Sequence, residues 1–321
     1  MARQVETLRS DDIPAIAEVL TAIERDTAQP KVVTVEELLE EFDGVHTDPA
    51  RDLVGVHDAD RLIACGYTYL LLGDDVHRCY VMGGVHPDHR GDGAGSALLD
   101  RLLLMAEQRL DAIADDVPTV IRAYLPVVDP VLDTMFERRG FATVRYFDDL
   151  HRAVADPPVA PAPTGITITD WDHTRTDELR TVKNDAFADH WGSQPSSEHE
   201  WRQLTEGHHT RPDLSVMAVT DDGTIAGLLL VHRHAADDAV VGARYAWIDK
   251  VATLAEHRGR GIAAAMIAAA MEKMAADDIE RVALGVDSAN PTGAHELYRH
   301  LGFEPWTRYV TRERWLRTAP G

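Results

Sequence analysis

One feature restricts the fold of this chain more than any other: it contains the same segment twice. Val85-His-Pro-Asp-His-Arg90-Gly-Asp-Gly-Ala-Gly95 returns as Thr253-Leu-Ala-Glu-His-Arg258-Gly-Arg-Gly-Ile-Ala263, with the Arg-Gly pairs 168 positions apart. Downstream, Arg139-Gly-Phe141 returns as Leu301-Gly-Phe303 at an offset of 162. Two matches in the same order at a near-constant offset indicate a duplicated unit of domain length, too long for a solenoid repeat. Between the copies runs Asp156-Pro-Pro-Val-Ala-Pro-Ala-Pro-Thr-Gly165, with four prolines in eight residues. Such a stretch is extended and stiff, and forms neither helix nor strand. The expected organisation is a domain over 1–155, a linker over 156–165 and a second domain over 166–321.

Each copy alternates in the same way. In the second, 165–169 reads as a strand, 176–187 as a helix, and 191–207 contains another helix. Segments 215–219 and 225–231 form a hairpin around Asp221-Asp-Gly223, a strong turn signal. Tyr245 to Thr253 is a strand, followed by the Arg/Gly loop and a helix to about Met274. Then come strand 281–286, helix 292–301 and strand 307–315. This order predicts an α+β fold: two tandem domains, each a mixed, mostly antiparallel sheet flanked by helices.

Composition narrows the function. The net charge is −22 over 321 residues. That excludes a nucleic-acid binder, which needs basic patches to neutralise phosphates, and suits a cationic partner such as an amine. No run of about 18 apolar residues is present, so no membrane span is expected. The start, Met1 to Asp11, lacks the basic-then-apolar pattern of a signal peptide, and the cytoplasm is the expected location. Cys65 and Cys79 cannot build a disulfide framework and read as small core residues. His208-His209 has no acidic residue at ligand spacing, so no metal is expected.

The repeated loop has the chemistry of an anion site. In the second copy a β-branched strand enters it and an Ala-rich helix leaves it. Gly259, Gly261 and Ala263 let main chain approach a ligand closely. The free N–H groups and dipole of the helix start favour a negative group, and Arg258 and Arg260 add charge. A pyrophosphate fits such a place.

Arg-x-x-Gly-x-Gly/Ala after a strand, present as Arg258-x-x-Gly261-x-Ala263 and Arg90-x-x-Gly93-x-Gly95, resembles the acetyl-CoA signature of the GNAT acetyltransferase superfamily. So does the downstream run Asn290-Pro-Thr-Gly-Ala294-His-Glu-Leu-Tyr298-Arg-His-Leu-Gly302-Phe303. The resemblance covers both halves, and the two-copy arrangement also resembles the mycothiol synthases. It implies acetyl-CoA as cofactor, bound in the second copy by the exposed backbone of Val251, Ala252 and Thr253. The loop Arg258, Gly259, Arg260, Gly261, Ile262 and Ala263 would hold the pyrophosphate, and Asn290 the cofactor arm. In the first copy Val85, Arg90, Gly91, Gly93 and Gly95 take the matching places.

Acetyl transfer to an amine needs a base for the amine and an acid for the departing thiolate. The resemblance makes Tyr298 the acid. Phe136 stands at its place in the first copy and cannot donate a proton, and Asp92 replaces Arg260. Pro126-Val-Val-Asp129-Pro130 stands where the second copy has its Asn motif. The first copy therefore reads as catalytically degenerate. Asp249 is the leading base, with Glu256, Tyr245 or a water chain as alternatives and an ion pair as its structural role. Strand alternation would put Trp247, Asp249 and Val251 on one face. All six tryptophans lie in the second half. Asp189, His190, Trp191 and Trp247 are the expected acceptor residues, offering charge, hydrogen bonds and flat surface. The expected activity is direct acetyl transfer to a primary amine of a small polar molecule, by a monomer or homodimer. Mycothiol synthesis is the alternative within enzymes, and a non-catalytic acyl-CoA sensor the alternative of another class.

Overall fold

The computed structural model describes residues 4–27, 29–42, 46–127, 130–290 and 292–318. In chain order the strands are β1 (Glu6–Thr7), β2 (Leu53–Asp58), β3 (Arg61–Leu71), β4 (His77–Val85), β5 (Thr119–Pro126), β6 (Ala142–Ala153), β7 (Ile166–Asp170), β8 (Val216–Thr220), β9 (Ile225–His232), β10 (Tyr245–Thr253), β11 (Arg281–Asp287) and β12 (Glu304–Arg317). The helices are α1 (Ile13–Arg25), α2 (Val35–Phe42), α3 (Pro49–Asp52), α4 (Ala94–Asp111), α5 (Pro130–Glu137), α6 (Thr176–Ala186), α7 (Glu198–Glu206), α8 (Asp238–Val241), α9 (Ile262–Ala276) and α10 (Ala294–His300). None of the described helices is long and apolar enough to cross a membrane.

The chain divides into two compact units: Met1–Phe147 with Thr307–Gly321, and Asp148–Trp306. These are not the contiguous halves 1–155 and 166–321 that the linker suggests. In unit 1 the strands lie in the order β1-β2-β3-β4-β5-β12, antiparallel except for β4 beside β5. In unit 2, β7 to β10 are antiparallel, β10 and β11 are parallel, and Asp148–Ala153 of β6 follows β11. The last strand of each half thus completes the sheet of the other unit. Trp315 goes with β12 into unit 1, so five tryptophans, not six, belong to unit 2.

Both exchanged strands leave a helix through the Gly-Phe repeat. Gly140 and Gly302 have φ of +81° and +80°, a conformation open to glycine and strained for other residues. Phe141 and Phe303 then plug the cores of units 1 and 2.

Alternation along the strands divides each core into two layers. In unit 1, α4 covers one sheet face with Leu98, Leu99 and Leu102, and α1 with α2 covers the other with Ile13, Ile16 and Phe42. Cys65 and Cys79 are free and buried in these layers, and burial pushes both thiols up to about 12. In unit 2, α9 packs Ile262, Met266, Ala270 and Met274 onto Val231, Ile248 and Leu284. On the opposite face Leu179, Val182 and Trp201 of α6 and α7 pack onto Met217, Leu228 and Ala252.

The contact of β12 with β5 carries a buried ion pair. Arg122 Nε donates to Glu313 Oε1 at 2.8 Å, its Nη2 donates to the same oxygen, and Nη1 donates to the Tyr80 hydroxyl at 3.0 Å. Both charged side chains are nearly inaccessible, so each depends on the other. Glu313→Leu strands the Arg122 cation and is expected to destabilise unit 1 by about 3–5 kcal/mol in urea denaturation, with Arg122→Met/Glu313→Leu recovering most of the loss. A single variant as stable as the parent would contradict this assignment.

Candidate active site

β10 and β11 pair over only four residues, Tyr245–Ile248 against Arg281–Leu284. Beyond Ile248 the two strands part. Val251, Ala252 and Thr253 keep Leu229, Leu228 and Gly227 of β9 as partners. Their other main-chain edge has no strand partner among the described residues. An unpaired edge is a template for an extended ligand.

A bulge lies at the same point. The β9–β10 register shifts between Ile248 and Lys250, leaving Asp249 as the extra residue. The bulge reverses the alternation beyond it. Val251 packs with Ile248 on the α9 side, and Ala252 packs with Leu228 and Trp201 on the α6 side. Trp247, Asp249 and Val251 therefore do not share a face as unbroken alternation requires.

Asp249 Oδ2 is 2.7 Å from Lys250 Nζ. Burial by itself would raise the Asp249 carboxyl; the Lys250 ammonium and His232 outweigh it and hold the group below its ordinary value. The ion-pair role is thus realised in the structure, and the carboxylate stays charged. His232 is in turn pushed down, chiefly by burial, and its Nε2 lies 2.9 Å from the Leu204 carbonyl.

The loop after β10 has the backbone that its glycines allow. Gly259 and Gly261 have φ of +71° and +89°, and Gly261 is the N-cap of α9. A Cβ at either would meet no heavy atom within 4 Å. The space above the helix start is open, and its first N–H groups face an anion-compatible cradle. Arg258 braces this loop: Nη2 donates to Ala186 O at 2.8 Å and Nε to Thr253 O at 3.2 Å. Arg260 donates to Thr164 O at 3.0 Å, at the end of the proline-rich segment.

Asn290 builds the turn into α10. Its Oδ1 accepts from Thr292 N at 2.9 Å and Thr292 Oγ1 at 2.7 Å, while Pro291 lies outside the described residues. Tyr298, on α10, is 8% exposed and meets Phe303 edge-on at 5.9 Å. Burial pushes its phenol up to about 12, so it holds its proton at neutral pH. Ile248, Val251, Ile262 and Tyr298 share one core cluster, which brings strand, loop and helix together.

The expected acceptor residues fall in two places. Asp189, His190 and Trp191 occupy the loop after α6. Trp247 lies over Gly285 of β11, where a Cβ would come 3.5 Å from its ring and 3.3 Å from Asp149 Oδ1. Trp171 and Trp201 stack at 6.3 Å as packing residues, and Trp201 Nε1 donates to Thr176 Oγ1 at 3.0 Å. Sequence reasoning overlooked the buried Lys183 and Asp149, because a single charged residue in a helix or strand carries no pattern that distinguishes it from a solvated one.

Residues 176–303 match the model of the Acetyltransferase (GNAT) family. A mycothiol acetyltransferase of Stackebrandtia nassauensis is 27% identical over 316 residues, 96% of this chain and 97% of the relative. One from Salinispora arenicola is 28% identical over 98% of this chain and 97% of its own. Among solved structures, a GCN5-related N-acetyltransferase from Sphaerobacter thermophilus superposes with a TM-score of 0.77 at 25% identity, over 99% of this chain and 96% of the other. The similarity to acetyltransferases thus runs over nearly the whole chain, and the stretch that matches the GNAT family lies within unit 2. A tandem GNAT protein from the clavulanic acid biosynthesis pathway shares the fold, with a TM-score of 0.75 at 18% identity over 97% of this chain and 98% of that one.

The two units share the parted strands and the glycine loop and differ in the side chains around them. In unit 1, β4 pairs with β5 over His77–Tyr80 and then parts from it, as in unit 2. Its register with β3 is unbroken, however, and Val81 stands where the repeat offset places Asp249. Phe136 fills the place of Tyr298, edge-on to Phe141 at 5.1 Å. Val128 and Asp129, in the segment opposite the Asn motif, lie outside the described residues. Gly91 and Gly93 keep positive φ, but Arg90 Nη1 is drawn to Asp26 at 2.5 Å, and Asp92 Oδ1 accepts from Ala94 N at 3.2 Å. A carboxylate thus sits on the first turn of α4, where a phosphate would have to come. Coenzyme A titrated calorimetrically is expected to bind unit 2 the more tightly. Asp92→Asn should strengthen the weaker site about five-fold, the effect of one charge at a helix N-terminus; an unchanged isotherm would contradict this.

Proposed function

We propose that unit 2 transfers acetyl from acetyl-CoA directly to a primary amine of a small polar molecule. The observation that carries this reading is that one unit alone combines a bulged, parted strand, an open glycine loop and a protonated tyrosine. Acetyl-CoA supplies the acetyl thioester and a thiolate leaving group. The free edge of Val251–Thr253 would pair with the cofactor's amide-bearing arm, and the loop 258–263 would take its pyrophosphate. Tyr298 holds the proton that the sulfur needs as its bond to the acetyl carbon breaks. Asp249, kept anionic beside Lys250, takes the proton that the amine sheds as it bonds to that carbon, directly or through water. A carboxylate held this low is a weak base, which matches an acceptor whose proton leaves late in the reaction.

Near-full-length similarity to mycothiol acetyltransferases supports a cysteinyl pseudodisaccharide as the acceptor. An acyl-CoA sensor would have no use for a proton donor kept in one unit and lost from the other. Thiol release from acetyl-CoA, measured against aminoglycosides, polyamines, desacetyl-mycothiol and peptides, identifies the amine. Tyr298→Phe should then lower kcat about 100-fold with little change in the KM for acetyl-CoA. Unchanged turnover would remove Tyr298 from the chemistry, and no release with any amine would favour the sensor.

A further inference from the structure

Lys183, on α6, is 5% exposed, although lysine is among the residues least often buried. Its Nζ donates to Ser196 Oγ at 2.7 Å, to Gln194 O at 3.2 Å and to the adjacent Asn184 Oδ1 at 3.3 Å. Asn184 closes the arrangement: its Oδ1 accepts from Ser196 N at 2.8 Å and its Nδ2 donates to Ser196 O at 3.2 Å. Two consecutive side chains of α6 therefore fasten both backbone groups and the hydroxyl of one loop residue. The fastened segment runs from Asp189, His190 and Trp191 to Ser197, whose capping box with Glu200 begins α7. A packing role alone would be served better by an apolar side chain of similar volume. What the ammonium provides is three donors directed at one loop.

We propose that Lys183 is a positioning residue for the acceptor, holding the loop 187–197 in the conformation that presents Asp189, His190 and Trp191. The proposal rests on the reading that this loop meets the amine substrate. The charged groups around the ammonium are Lys250 and Asp249 of β10 and Glu200 of α7, with Arg180 on its own helix donating to Ser196 O at 3.5 Å. Burial first, and Lys250 next, push the Lys183 ammonium down to about 8. On losing its proton the amine keeps two donors for three acceptors, so the clamp should loosen as pH rises through that value.

The test labels the full-length protein with fluorotryptophan and follows the Trp191 resonance, assigned with Trp191→Phe, between pH 6.5 and 9.5. The parent should show a titration centred near pH 8. Lys183→Arg, which stays charged, should hold the low-pH position throughout. Lys183→Met and Asn184→Ala should both show an altered Trp191 signal at pH 7. With desacetyl-mycothiol as the probe, Lys183→Met should raise the acceptor KM about five-fold, leaving the KM for acetyl-CoA and kcat nearly unchanged. A Trp191 resonance indifferent to all three variants refutes the clamp. A responsive resonance with an unmoved acceptor KM refutes the acceptor role. If the parent does not acetylate desacetyl-mycothiol, the choice of acceptor fails while the resonance still tests the clamp.

Discussion

The site depends on one constraint of main-chain geometry: two parallel strands that pair for four residues and then separate. Backbone N–H and C=O groups are obligatory hydrogen-bonding groups, and a strand that loses its neighbour must find another partner or water. Between β10 and β11 the separation begins at Ile248. From there Val251–Thr253 are held on one side only, by β9. The bulge at Asp249 sits at the same point: its carboxylate pairs with Lys250, while Val251 turns back to the core. The glycine loop and α9 follow directly. Strand edge, acidic group and helix N-terminus are thus consecutive pieces of one chain segment, and displacing any of them would displace the others.

The exchange of terminal strands gives the duplication a different meaning from that of two independent domains on a tether. Unit 1 is completed by β12, and the buried Arg122–Glu313 pair joins residues far apart in the chain. Unit 2 receives Asp148 and Asp149 from β6, the former 3.1 Å from His295 of α10. Neither half of the sequence is therefore a complete sheet by itself, because each unit takes its last strand from the other half.

Much of this was legible in the residues. The Arg/Gly loops and the Gly-Phe pairs announced the duplication, because only glycine enters the left-handed region without strain at 259, 261 and 302. Tyr298 against Phe136 was visible because the helices that carry them keep the same spacing from Gly302 and Gly140. The bulge was not visible. Nothing in Trp-Ile-Asp-Lys-Val distinguishes an unbroken strand from one with an extra residue, since the extra residue exists only relative to the partner strand. Lys183 was missed because a lone lysine in an amphipathic helix is ordinarily solvated.

The amino-acid order alone determined the α+β alternation, the tandem copies and the side chains in which they differ, since these follow from local periodicity, glycine conformation and side-chain type. Only the tertiary structure decided which unit each terminal strand joined, that Asp249 became the extra residue of a bulge and which lysine became buried. Those outcomes depend on register and burial between segments distant in the chain, and a strand's own pattern is the same whichever edge it completes.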